Sequence, residues 1–98
     1  MAAGMAAHAV AGPVTLEILN QRGLHARASA KFVTVANGYA ATITVAKDGS
    51  KVVGTSIMGL LMLAAARGDR IEIRAEGQDA EAALRAITEL VTGKFGEE

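Results

Sequence analysis

Apolar residues in this chain recur at two spacings, every second residue and every third or fourth, and the two spacings alternate in an order that few folds satisfy. Val14, Leu16 and Ile18 alternate with Thr15, Glu17 and Leu19, which predicts a strand buried on one face. Ser29, Phe32, Val33 and Ala36 then share one helical stripe, with Arg27, Lys31 and Thr34 opposite and Asn37-Gly38 as the stop. Ala41, Ile43 and Val45 return to period two. The Asp-Gly pair in Lys47-Asp48-Gly49-Ser50 predicts a tight hairpin, with Lys51-Val52-Val53 as its short returning strand. An apolar run from Ile57 to Ala66 reads as a second helix. Ile71, Ile73 and Ala75 mark a fourth strand. Ala80, Ala83, Leu84, Ile87 and Val91 stripe a last helix that Gly93 ends.

Four short strands with one wet face and three amphipathic helices, in the order β-α-β-β-α-β-α, predict an α+β fold. Its sheet should be antiparallel and four-stranded, with the helices on one face and water on the other. At 98 residues the chain holds a single core, and its three aromatics, Phe32, Tyr39 and Phe95, require that core to be mostly aliphatic. Residues 1–12, nearly all Ala, Gly and Met, are expected to be a disordered leader. Residues 13–93 form the domain, and 94–98 form a short C-terminal tail. The leader lacks the charged start and long apolar run of a secretory signal, and no stretch is long enough to span a bilayer. The chain has no cysteine, hence neither a disulfide framework nor a thiolate metal site, which fits a reducing cytoplasm.

The chemistry concentrates where the first strand hands over to the first helix. His25 stands on the threshold of that helix, where backbone N–H groups lack partners and the helix dipole adds positive potential. Arg27 and Lys31 follow at i,i+4 spacing, with Arg22 just before. An anion is welcome there, and a neutral imidazole is a nucleophile. A phosphoryl group on His25 would sit beside open N–H groups and the guanidinium of Arg27. From residue types alone, a histidine that merely flanks a helix remains the alternative.

Gly23-Leu24-His25-Ala26-Arg27 resembles the active-site segment of the HPr family, the histidine-containing phosphocarriers of the bacterial phosphoenolpyruvate-dependent phosphotransferase system. The resemblance implies that His25 is phosphorylated on its δ nitrogen by enzyme I and passes the group to an enzyme IIA. Arg27 would be the charge partner of the phosphate. It also implies that family's open-faced sandwich, a cytoplasmic location and a carrier that is a substrate of its partners more than an enzyme. Most members have proline and alanine where this chain has Ala28-Ser29. Proline's missing N–H is an orphan in a helix's first turn, so its replacement is not expected to abolish transfer. The Ala-Arg-Ala-Ser-Ala-Lys-Phe run is similar to the family's nitrogen-related branch.

Ser56 precedes the second helix and reads first as its N-cap. That helix carries Leu60, Leu63 and Ala64 on one stripe and Ile57, Met58, Leu61 and Met62 on another. A short helix on a sheet cannot bury both, so the second stripe is expected to be an interaction surface. Ser56-Ile57-Met58-Gly59 is similar to the family segment that bears a regulatory serine. The resemblance implies that Ser56 is a candidate for phosphorylation by an HPr kinase/phosphorylase, and that Ile57, Met58, Leu61 and Met62 dock enzyme I and the acceptor. A phosphate there, at about −1.5 to −2 charge, would repel an acidic partner.

Formal net charge is zero, which speaks against nucleic acid and membrane surfaces. The strands also lack an aromatic platform for RNA bases. Up to Lys51 the bases Arg22, Arg27, Lys31, Lys47 and Lys51 outnumber the acids Glu17 and Asp48, so the end around His25 suits an acidic partner. No clustered His/Cys set suggests a metal, and no cofactor is called for. Hydrolysis is disfavoured because there is no cysteine and, with His8 in the leader, only one histidine in the expected domain, without a carboxylate orienter in its motif. The expected carrier is a monomer. A ferredoxin-like ligand-binding or oligomerisation module with a structural histidine is the competing function.

Overall fold

The period-two runs fold as four strands and the stripes as three helices. The structure, a computed structural model, describes residues 9–97. In chain order the elements are β1 (Ala9–Glu17), α1 (Ala26–Asn37), β2 (Thr42–Lys47), β3 (Ser50–Val53), α2 (Ile57–Met62), β4 (Arg70–Gly77) and α3 (Ala80–Thr92). A 3₁₀ turn over Lys94–Gly96 follows. The sheet is antiparallel throughout with strand order β1-β4-β2-β3. The predicted α+β fold and its element order are therefore present.

Register places the apolar partners on one face, with Val14 opposite Ile73, Leu16 opposite Ile71 and Val45 opposite Ile73. Ile43, Val45, Ile71, Ile73 and Ala75 are buried under the helices, while Thr42, Glu72 and Arg74 face water. Ala28, Phe32 and Ala36 of α1 and Ala80, Ala83, Ile87 and Val91 of α3 complete the core. Burying one such Ile or Phe is worth about 1.5–3 kcal/mol. Asp48 and Gly49 both take positive φ, 50° and 85°, which matches the right-handed twist of the β2–β3 hairpin.

Three boundaries differ from the sequence expectation. Ala9 to Gly12, expected in the leader, belong to β1, where Ala9 pairs with Gly77 and Ala11 with Ala75 across an irregularity at Gly12-Pro13. Small residues suffice there because the backbone ladder, not side-chain volume, holds the extension. The rest of that leader lies outside the described residues, as does Glu98.

The second helix stops at Met62 rather than continuing to Ala66. Leu63 and Ala65 are both buried while Ala64 is exposed, a period of two that a helix cannot supply. Ala64 turns left-handed, at φ 53°, to achieve it.

Of the expected C-terminal tail, residues 94–97 pack against the domain. Lys94 and Phe95 adopt left-handed φ of 60° and 56°, costing about 1–2 kcal/mol each, and the turn drives Phe95 fully into the core. Burial of that ring and a 2.8 Å hydrogen bond from Lys31 Nζ to the Phe95 carbonyl offset the strain.

Candidate functional site

The chain leaves β1 through a short loop whose shape is fixed by the backbone on both sides. The Ile18 N–H donates to the Asp69 carbonyl at 2.8 Å and the Gly68 N–H to the Ile18 carbonyl at 2.8 Å, which prolongs the pairing with β4. The loop then tightens through Gly23 N–H to Asn20 carbonyl, 3.2 Å, and docks through Leu24 N–H to Ala65 carbonyl, 2.9 Å. Gly23 is required at that contact. Its φ is +65°, and a Cβ there would lie 2.3 Å from the Ala65 oxygen.

His25 is the N-cap residue of α1, extended at φ −75° and ψ 179°. Its carbonyl accepts the Ser29 N–H at 2.8 Å, but its side chain makes no capping bond. The ring is thus free for other work, and the N–H groups of Ala26, Arg27 and Ala28 stand outside the intrahelical ladder. Buried Ser29 steadies the turn by donating Oγ–H to the Leu24 carbonyl at 3.2 Å.

The ring is less open than its motif suggested. Only 15% of the His25 side chain is exposed, because Glu97 lies against it with Oε2 hydrogen-bonded to Nε2. The other oxygen of Glu97 accepts from Asn20 Nδ2 at 3.1 Å, and the same Nδ2 donates to the Gly23 carbonyl at 2.8 Å. Asn20 is fully buried, and its Oδ1 has no hydrogen-bond partner among the described residues. The hydrogen bond to His25 holds the Glu97 carboxyl below the usual carboxylate range. Burial opposes the shift, while Asn20 and the charges of His25 and Arg27 reinforce it.

Arg27 is exposed on the first turn of α1, and its charge reaches Glu97. Lys31, expected to add potential at the anion site, is instead committed to the Phe95 carbonyl. Arg22 is exposed in the loop. Among the described residues no three His, Cys, Asp or Glu side chains converge to hold a metal.

Ser56 caps α2 as its position implied, its Oγ accepting the Gly59 N–H at 3.0 Å. Of the second stripe, Ile57, Met58 and Met62 are exposed by 41%, 67% and 76%, and Leu61 is half-buried beside them. The chain after α2 returns at Ala65 to the His25 loop, so the stripe and the histidine share one end of the molecule.

Sequence reasoning missed Asn20 and Glu97. No spacing could have signalled Glu97, which reaches His25 across 72 residues. Asn20 carried a weak hint as an amide at the end of an apolar strand.

The chain is similar to known proteins in sequence and in fold. Residues 14–93 match a family model described as the PTS HPr component phosphorylation site. A phosphocarrier protein HPr of Neisseria meningitidis is 51% identical over 83 residues, covering 85% of this chain and 93% of that protein. A phosphocarrier protein NPr of Shewanella violacea is 45% identical over 80 residues, covering 82% of this chain and 88% of that one. The crystal structure of HPr-C-His from Thermoanaerobacter tengcongensis superposes with a TM-score of 0.86 at 44% identity, covering 90% of this chain and 99% of that one.

Proposed function

This chain belongs to the HPr family of phosphocarriers of the phosphotransferase system, and from that premise we propose that His25 is its phosphoryl-accepting residue. As a family member it carries a phosphoryl group and is not a catalyst in its own right. The donor is phosphorylated enzyme I, and Nδ1 of His25 is the accepting atom. The acceptor downstream is a histidine on an enzyme IIA.

The observation that carries this reading is the placement of His25 at the start of α1 with its side chain uncommitted to capping. A phosphoryl group on the ring meets the unladdered N–H groups of the first turn and the guanidinium of Arg27, which together offset its charge. In-line transfer needs positioning and charge neutralisation rather than covalent help from the carrier. No helix among the described residues is long and apolar enough to cross a membrane. A cytoplasmic location belongs to the phosphocarrier reading.

Docking uses the exposed apolar stripe of Ile57, Met58 and Met62, with Leu61 at its margin. Methionines adapt to more than one partner, as a carrier between donor and acceptor requires. Ser56, at the edge of that stripe, is the regulatory position, and an HPr kinase/phosphorylase is the partner that would modify it.

Incubation with phosphoenolpyruvate and enzyme I from the same organism, followed by phosphorus NMR and intact mass, tests the proposal. One acid-labile, alkali-stable phosphoryl group should appear, and His25→Ala should abolish it. A stable phosphoester, or no incorporation, would refute the assignment.

A further inference from the structure

The contact between His25 and Glu97 specifies more than proximity, because the donor and the acceptor in it can be told apart. Glu97 is ionised, so both of its oxygens accept, one from Asn20 Nδ2 and the other from the ring. The proton between ring and carboxylate therefore belongs to Nε2. In the neutral ring the lone pair is then on Nδ1, which takes no hydrogen bond from the protein among the described residues.

Asn20 makes that arrangement directional. Its Nδ2 faces two acceptors, the Gly23 carbonyl and Glu97, which fixes the amide. An ionised carboxylate only accepts, so the amide N–H, and not its oxygen, faces Glu97. The lever is anchored at its far end by the buried Phe95, two residues before Glu97.

Resting on the phosphocarrier reading, we infer that Glu97 is a positioning residue for phosphoryl transfer, holding Nε2–H so that Nδ1 presents its lone pair, with Asn20 aligning the carboxylate. In the transfer the Nδ1 lone pair forms the new N–P bond while the P–N bond of the donor's phosphohistidine breaks, its electron pair leaving with the donor ring, which departs as a neutral imidazole because its other nitrogen carries a proton throughout. The Nε2 proton stays in place, the His25 ring gains positive charge, and the Glu97 carboxylate faces that charge across the same hydrogen bond. Onward transfer to an acceptor imidazole that is likewise protonated on its non-reacting nitrogen reverses these changes, so each ring keeps its own proton at both steps.

The test uses the full chain labelled with ¹⁵N, as wild type, Glu97→Gln and Glu97→Ala. Long-range ¹⁵N–¹H correlation on the neutral ring should find wild-type His25 as one Nε2–H tautomer with a low-field, exchange-protected ring proton. Both variants should lose that low-field proton. Phosphoryl uptake from phosphorylated enzyme I should slow by about tenfold in both, by analogy with the lower end of what the carboxylate behind a metal-bound histidine contributes. Glu97→Gln keeps the size of the side chain, so it decides the matter even where Glu97→Ala loosens the C-terminal turn. A wild-type ring protonated at Nδ1, or Glu97→Gln transferring at the wild-type rate, overturns the inference and leaves the carrier reading standing. Absence of uptake by the wild type overturns both.

Discussion

Lys31 on the second turn of α1 donates its ammonium to the main-chain carbonyl of Phe95, 64 residues later, at 2.8 Å. The bond ties the Lys94–Gly96 turn to the helix that begins at His25, and the buried Phe95 ring anchors the same turn from within. Phe95→Ala should therefore destabilise the protein by about 3–5 kcal/mol through lost burial and the cavity left behind. It should also release Glu97 from His25. Urea denaturation reads the first effect and the His25 ring ¹⁵N shifts the second. A loss below about 1 kcal/mol would show that the turn is not part of the core.

Acid should weaken the protein partly through Glu97. Its carboxyl titrates below the ordinary range in the folded state, chiefly because of the His25 hydrogen bond. Its stabilising contribution is fully present above the unfolded-state value of about 4.3 and disappears as pH falls through the lower folded value. Glu97→Gln should thus be less stable than wild type at pH 7, and the gap should close as the pH falls below the ordinary carboxylate range. Denaturation curves across that window check it, and a gap independent of pH would contradict it.

Two roles of Ser56 separate by substitution. Ser56→Ala removes the oxygen that accepts the Gly59 N–H and should cost about 1 kcal/mol without slowing phosphoryl transfer. Ser56→Asp keeps a good capping oxygen and adds charge beside Ile57 and Met58, so stability should hold while transfer slows. Equal transfer rates in the two variants would remove Ser56 from regulation.

Met58 is two-thirds exposed and packs little of its side chain into the domain. Met58→Glu should leave the denaturation midpoint nearly unchanged, since exposed substitutions shift stability by about 0.5 kcal/mol or less. It should reduce the rate of phosphoryl uptake from enzyme I by placing a charge in an apolar contact. An unchanged rate would exclude α2 from that interface.

The sequence by itself determined the element order, the hairpin at Asp48-Gly49, the buried faces of β1, β2 and β4, the cap at Ser56 and the position of His25 at a helix start. Each follows from periodicity or turn chemistry acting over a few neighbouring residues, which is why each is legible in one dimension. Tertiary structure alone decided where α2 ends, because only the need to bury both Leu63 and Ala65 turns the chain at Ala64. It alone added Ala9 to Gly12 to β1, since a run of small residues has no pattern until β4 offers a ladder to pair with. It alone brought Asn20 and Glu97 to His25 and drew Lys31 away to Phe95. Those contacts join the two ends of the domain, and their partners are chosen by how the packed core closes, not by any spacing along the chain.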